Sequence, residues 1–138
     1  MKSIISAFVL VFLLTILIGC TKSSNGLYIK ELSIESDLPT SEFSYEFPSD
    51  MIIIKKNGEQ YFAIYPLYPG LDIKKEYNFT EPLFVSAGSI NIYEQIHEKG
   101  KFYAAETSYP FFVIPGKQPV SKELEDDMLL FLRTLKQR

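Results

Sequence analysis

This chain has one cysteine, Cys20, and one histidine, His97, among 138 residues. A single cysteine cannot close a disulfide within the chain, so any fold must be held by apolar burial. A single histidine excludes the paired-histidine spacing of zinc sites and leaves one side chain able to exchange protons near neutral pH. No Gly-x-Ser-x-Gly turn is present, which removes the strand-turn-helix serine nucleophile. The Asp-x-Asp-x-Asp-Gly spacing of an oxygen-ligand loop is missing as well. Basic residues are too few for a positive field: 14 Lys and Arg stand against 17 Asp and Glu. Phosphate neutralisation dominates nucleic-acid affinity, so DNA and RNA are excluded as partners. No internal repeat occurs, and no cofactor motif is found.

What is present begins at the amino end. Lys2 follows Met1, and Ile4 to Ile18 is apolar apart from Ser6 and Thr15, with small Gly19 and then Cys20. Positive start, apolar segment and small residue are the order of an export signal. The apolar run is too short for a spanning helix, which needs about 20 residues. Leu17-Ile18-Gly19-Cys20 resembles the lipobox of bacterial lipoproteins. The resemblance covers residues 1–20. It implies cleavage before Cys20, diacylglyceryl transfer to its thiol and anchoring by two or three acyl chains, palmitate among them, at the extracytoplasmic face of the cell membrane. Each buried methylene contributes about 0.8 kcal/mol, so more than one chain makes residence stable.

Residues 1–19 are therefore read as signal peptide, 20–26 as lipidated cysteine and polar tether, and 27–138 as one globular domain. The signal carries Lys2 and no acid, so the 14 basic residues become 13 against 17 acidic ones. Nine tyrosines and, without Phe8 and Phe12, nine of the 11 phenylalanines remain to build a core.

Asn57-Gly58 between two β-branched and aromatic runs predicts a hairpin with a type I′ turn. Counting outward pairs Lys56 with Glu59, Lys55 with Gln60, Ile54 with Tyr61, Ile53 with Phe62 and Ile52 with Ala63. Both faces are then apolar, and the hairpin belongs at the centre of a sheet, covered on both sides. Leu27 to Ile34 reads as a strand, Asp37 to Ser44 as a loop, and Tyr45 to Phe47 as a short strand stopped by Pro48. Tyr65 to Gly70 is an exposed Pro/Gly turn, and Leu83 to Val85 another short strand. Ile90 to Thr107 admits a helical stripe through Ile92, Tyr93 and Ile96, or a hairpin turning near Glu98 to Gly100; the run Lys101 to Ala105 favours the hairpin. Phe111 to Ile114 gives a strand. Ser121 caps a C-terminal helix whose acids come first and bases last, with Leu124, Met128, Phe131 or Leu132, and Leu135 facing inward. The sum is α+β: an antiparallel sheet of about five to seven strands with one C-terminal helix on it.

Few residues offer chemistry. His97 has Ser86, Ser89, Glu94 and Glu98 nearby in sequence, but on a strand Glu94 and His97 face opposite sides. Glu125-Asp126-Asp127 is the densest carboxylate group, and a helix start accounts for it. Tyr65, Tyr68 and Tyr77 flank the Pro/Gly turn and form a candidate binding surface for a protein or a sugar polymer; sheet-covering rings are the plainer account. Tyr109, Phe111 and Phe112 read as core. The balance favours a non-catalytic envelope module that binds an envelope protein or polymer beside the membrane. The alternative is a small envelope hydrolase or carbohydrate-binding enzyme using His97 and a nearby carboxylate.

Overall fold

The computed structural model describes residues 26–98 and 100–138. The signal, Cys20 and all of the tether but Gly26 lie outside the described residues. Gly26, read above as the last tether residue, is the first residue of β1 (Gly26–Ile29), which pairs antiparallel with β2 (Ile34–Pro39).

The architecture is α+β, built from two antiparallel sheets. The main sheet has seven strands: β3 (Phe43–Glu46), β4 (Ile52–Lys56), β5 (Glu59–Pro66), β6 (Phe84–Val85), β7 (Asn91–His97), β8 (Gly100–Glu106) and β9 (Phe111–Pro115). Their spatial order is β3-β4-β5-β9-β8-β7-β6. Between β5 and β6 lies α1 (Ile73–Glu76), a single turn capped where the Lys75 N–H donates to Asp72 Oδ1 at 3.2 Å. After β9 comes α2 (Lys122–Arg133), then β10 (Lys136–Gln137), which pairs with β2 to complete a three-stranded sheet β1-β2-β10. Among the described residues no helix is long and apolar enough to cross a membrane.

One face of the main sheet supplies most of the core. Ile52, Ile54, Phe62, Ile64, Ile92, Phe111 and Val113 point toward α2, which answers with Leu124, Met128, Phe131 and Leu132; all are buried. The helix forms as its sequence predicts: Ser121 Oγ accepts from the Leu124 N–H at 3.1 Å, and the buried residues recur at i, i+4, i+7 and i+8. The small sheet adds Leu27, Ile29, Ile34 and Leu38 to the same core, with β2 packed beside the helix. On the opposite face a smaller cluster forms where Leu67, Leu71, Ile73 and Phe79 fold back over Tyr93, Ala104 and Phe112.

Four expectations need correction. Tyr65 and Pro66, read above as the start of an exposed turn, end the internal strand β5 and pair with Phe112 and Phe111 of β9, so the turn begins only after Pro66. Leu27 to Ile34 is not one strand. The chain turns at residues 30–33, with Ser33 at φ 53°, and the buried positions change from Leu27 and Ile29 to Leu32, Ile34 and Leu38. Nor is Asp37 to Ser44 a loop, because buried Leu38 and Phe43 extend β2 and β3 around a three-residue turn. In the Asn57-Gly58 hairpin the first two pairs stand as counted, but Ile54 then faces Phe62, Ile53 faces Ala63, and Ile52 faces Ile64. Tyr61 is the extra residue of a β-bulge. The four large apolar residues Ile52, Ile54, Phe62 and Ile64 thereby share the helix face, and Ile53 and Ala63 stay half-buried on the other. The hairpin lies inside the sheet but has one deeply covered side.

Candidate functional site

The helix α2 is flanked by a cleft on each side. Toward the Asn57-Gly58 turn, the Tyr61 bulge swings its ring to the helix side, 6.1 Å from Phe62 and 6.2 Å from Phe43. Its hydroxyl donates to Asp127 Oδ2 at 2.8 Å, and Lys56 Nζ meets the same oxygen at 2.8 Å and Glu123 Oε1 at 2.7 Å. The bonds to Asp127 and Glu123 raise the Lys56 ammonium above its usual range, and burial, then the Asp127 bond, raises the Tyr61 phenol. A lysine held charged and a tyrosine held neutral make neither a base nor a nucleophile. This cluster clamps the helix to the hairpin, and the hollow beside it, about 430 Å³, is lined by Lys117 and Glu59 as well.

The cleft on the other side is larger, about 570 Å³. Its floor is Glu94 of β7 with Lys101 and Tyr103 of β8. One wall is Leu83, Phe84 and Val85; the other is the helix stripe Glu125, Leu129 and Arg133, four residues apart along α2. Lys101 Nζ reaches Glu125 Oε1 at 2.8 Å and Glu94 Oε2 at 3.9 Å, and the Glu125 bond raises its pKa. Arg133 lies over the Phe84 ring at 5.2 Å. No carboxylate pairs with Arg133 among the described residues. Leu83 and Val85 are about half exposed at the mouth. The lining mixes apolar surface with the Lys101–Glu125 ion pair, Glu94 and Arg133.

The residues singled out from sequence fall at several places in the fold. His97 ends β7 opposite Gly100 and lines a separate hollow with Phe102, Ile114 and Gln118. Glu94 faces the helix cleft three residues away, so the two share no site. Ser86 is structural: its hydroxyl donates to the Leu135 carbonyl at 2.7 Å and accepts from the Ile90 N–H at 3.0 Å. The acidic triplet splits: Glu125 goes to Lys101, Asp127 to Lys56 and Tyr61, and Asp126 stays exposed. Among the described residues no cluster of three metal-ligating side chains forms. Tyr65 and Tyr77 both flank Phe112, the first as its cross-strand partner and the second edge-on at 5.0 Å, whereas Tyr68 stands 74% exposed in the loop. Lys101 and Arg133 enter the sequence reading only as hairpin and helix-end residues, and Leu129 not at all; none of the three is singled out there as part of a site. The i, i+4, i+8 spacing of Glu125, Leu129 and Arg133 was the available signal, a second stripe beside the core-facing one.

Several tyrosines fix how the domain responds to alkali. Burial, then a 2.6 Å bond from its hydroxyl to Glu106, pushes the Tyr93 pKa up to about 12 from 10.0; burial also raises Tyr45 and Tyr103. The fold holds these protons to higher pH than the unfolded chain does. Their contribution is complete below about pH 10 and is lost as pH rises through the folded values. Urea midpoints should therefore fall between about pH 10 and 12, and Tyr93→Phe should flatten part of that fall. An unchanged profile in the variant would show that Tyr93 is not so held.

Compared with known proteins, the chain matches no family model, no curated protein and no solved structure.

Proposed function

We propose that the chain is a lipid-anchored, non-catalytic binding module of a bacterial cell envelope, held at the extracytoplasmic face of the membrane. The observation that carries this reading is the placement of its one cysteine, at the end of Leu17-Ile18-Gly19-Cys20 behind an apolar run. A mature domain without a thiol suits a role of presenting surface beside the bilayer. Its charge clamps hold a helix in place instead of converging on a reactive centre, and the helix cleft offers mixed apolar and charged contacts to a partner.

The test is metabolic labelling with palmitate followed by fractionation. The wild-type product should carry label and sediment with membranes. Cys20→Ser should lose the label and accumulate as the uncleaved precursor, since processing of a lipobox signal follows acylation. Equal labelling or equal processing of the two would remove the anchor.

A further inference from the structure

The strand position beside β7 is occupied for only part of its length. β6 pairs Val85 with Asn91 and Phe84 with Ile92, and the last bond runs from the Leu83 N–H to the Ile92 carbonyl at 2.7 Å. Pro82 has no N–H to continue the ladder, and the chain leaves the sheet there. The Ile92 carbonyl faces away from β8, so by alternation the N–H and C=O of Glu94 and Ile96 face the same open side. Among the described residues no backbone group pairs with them. An open edge of this kind is a template for another strand. Ile96 is 78% exposed, and Leu83 and Val85 stand exposed along the same border. The 570 Å³ cleft, with Leu129 and Arg133 on its far wall, opens directly beside it.

From this juxtaposition we infer that the open edge of β7 at Glu94 and Ile96 docks an extended, mainly apolar segment of a partner protein by strand addition, with one carboxylate of that segment placed at Arg133 away from Glu94. The proposal deepens the binding-module reading and rests on it. Backbone bonds to Glu94 and Ile96 would seat the segment, and alternate side chains would enter the cleft. Apolar residues match Leu83, Val85 and Leu129. A carboxylate matches Arg133, the cation of the cleft that no acid engages among the described residues, whereas Lys101 is already held by Glu125 and Glu94. A second copy of this chain fits poorly. An antiparallel pairing with its twofold at Gln95 sets Glu94 diagonally against its own mate, and one centred on Ile96 sets Glu94 opposite Glu98. The tether, Thr21 to Asn25, holds neither an acid nor an apolar residue.

The experiment pans a phage-displayed library of random peptides of about ten residues, long enough for the slot at about 3.4 Å per residue, over the full chain purified in detergent. Enriched peptides should alternate apolar residues and carry an Asp or Glu. A synthetic peptide of the leading sequence should slow amide exchange at Glu94 and Ile96. Ile96→Pro removes an outward N–H and leaves the bonds to β8 intact, so it should fold and weaken that peptide at least about tenfold. Arg133→Glu keeps the edge and should shift selection toward peptides with Lys or Arg. No enrichment, equal binding by both variants, or protection confined to other amides would overturn the site. Photocrosslinking in intact cells separates the two levels. An envelope protein trapped from another face, with β7 untouched, removes this site and leaves the binding-module reading; no protein trapped from any face removes both.

Discussion

Phe131→Ala should lower the unfolding free energy by about 3–5 kcal/mol, the range for emptying a buried aromatic site. The ring is fully buried on α2, with Phe62 of β5 at 5.7 Å and Phe111 of β9 at 6.5 Å between centroids. It therefore joins the helix to two adjacent strands of the main sheet. Those neighbours are part of a ladder on each side, so they cannot move in to fill the space, and the cavity term stays close to its full value. A small domain has a total stability of about 5–15 kcal/mol, so the variant would sit near the edge of folding at 37 °C. Urea unfolding of wild type and variant gives the number. Leu130→Ala, one residue earlier and 41% exposed, should cost well under 1 kcal/mol. If the two substitutions cost the same, α2 does not pack on the sheet as described.

Ser86→Ala should follow, with a loss of about 1–3 kcal/mol from a change of one oxygen atom. The Ser86 hydroxyl is buried, donates to the Leu135 carbonyl and accepts from the N–H of buried Ile90. Around it the Ala87 N–H donates to the Arg133 carbonyl at 2.7 Å and the Gly88 N–H to the Leu135 carbonyl at 3.1 Å, so the loop after β6 caps the end of α2. Contact there is so close that a Cβ at Gly88 would lie 2.6 Å from the Lys136 Cα. Removing the hydroxyl leaves the Leu135 carbonyl one donor but strands the Ile90 N–H away from water, and an unpaired buried donor is what raises the cost above that of an ordinary surface change. Ser44→Ala, on an exposed position of β3, should stay within about 0.5 kcal/mol. A loss at Ser86 no larger than at Ser44 would mean that water replaces the hydroxyl.

The hairpins and the helix were legible because each depends on neighbours in sequence. Asn57-Gly58 with positive φ at both residues, and the capped run from Ser121, are local devices that need no knowledge of the rest of the fold. The β7–β8 hairpin turned where Gly100 allowed it, at φ 127°. Legibility ended where a long-range contact decides. The turn after Ile29 contains no glycine or proline, and only the change in parity of the buried residues betrays it. The Tyr61 bulge is set by Asp127, 66 residues away, whose carboxylate takes the tyrosine hydroxyl. β10 is two residues long and exists because β2 is there to receive it. The helix cleft suffered the same limit. Glu125, Leu129 and Arg133 are spaced along one helix, but their opposite wall comes from a segment about 40 residues earlier, and the open border of β7 exists only because Pro82 stops its neighbour. His97 drew attention for its rarity, a property of composition that says nothing about where a strand ends.

The surplus residue at position 61 also bears on how this hairpin can change length over evolutionary time. Lys55 and Gln60 pair before it and Ile54 and Phe62 after it, so a descendant lacking that one codon would close into a regular ladder with every core isoleucine still inward. Insertions and deletions normally turn a strand inside out, but at this point the reading of inside and outside is indifferent to one residue more or less. What such a descendant would forfeit is the hydroxyl on the helix, leaving Lys56 alone to meet Asp127.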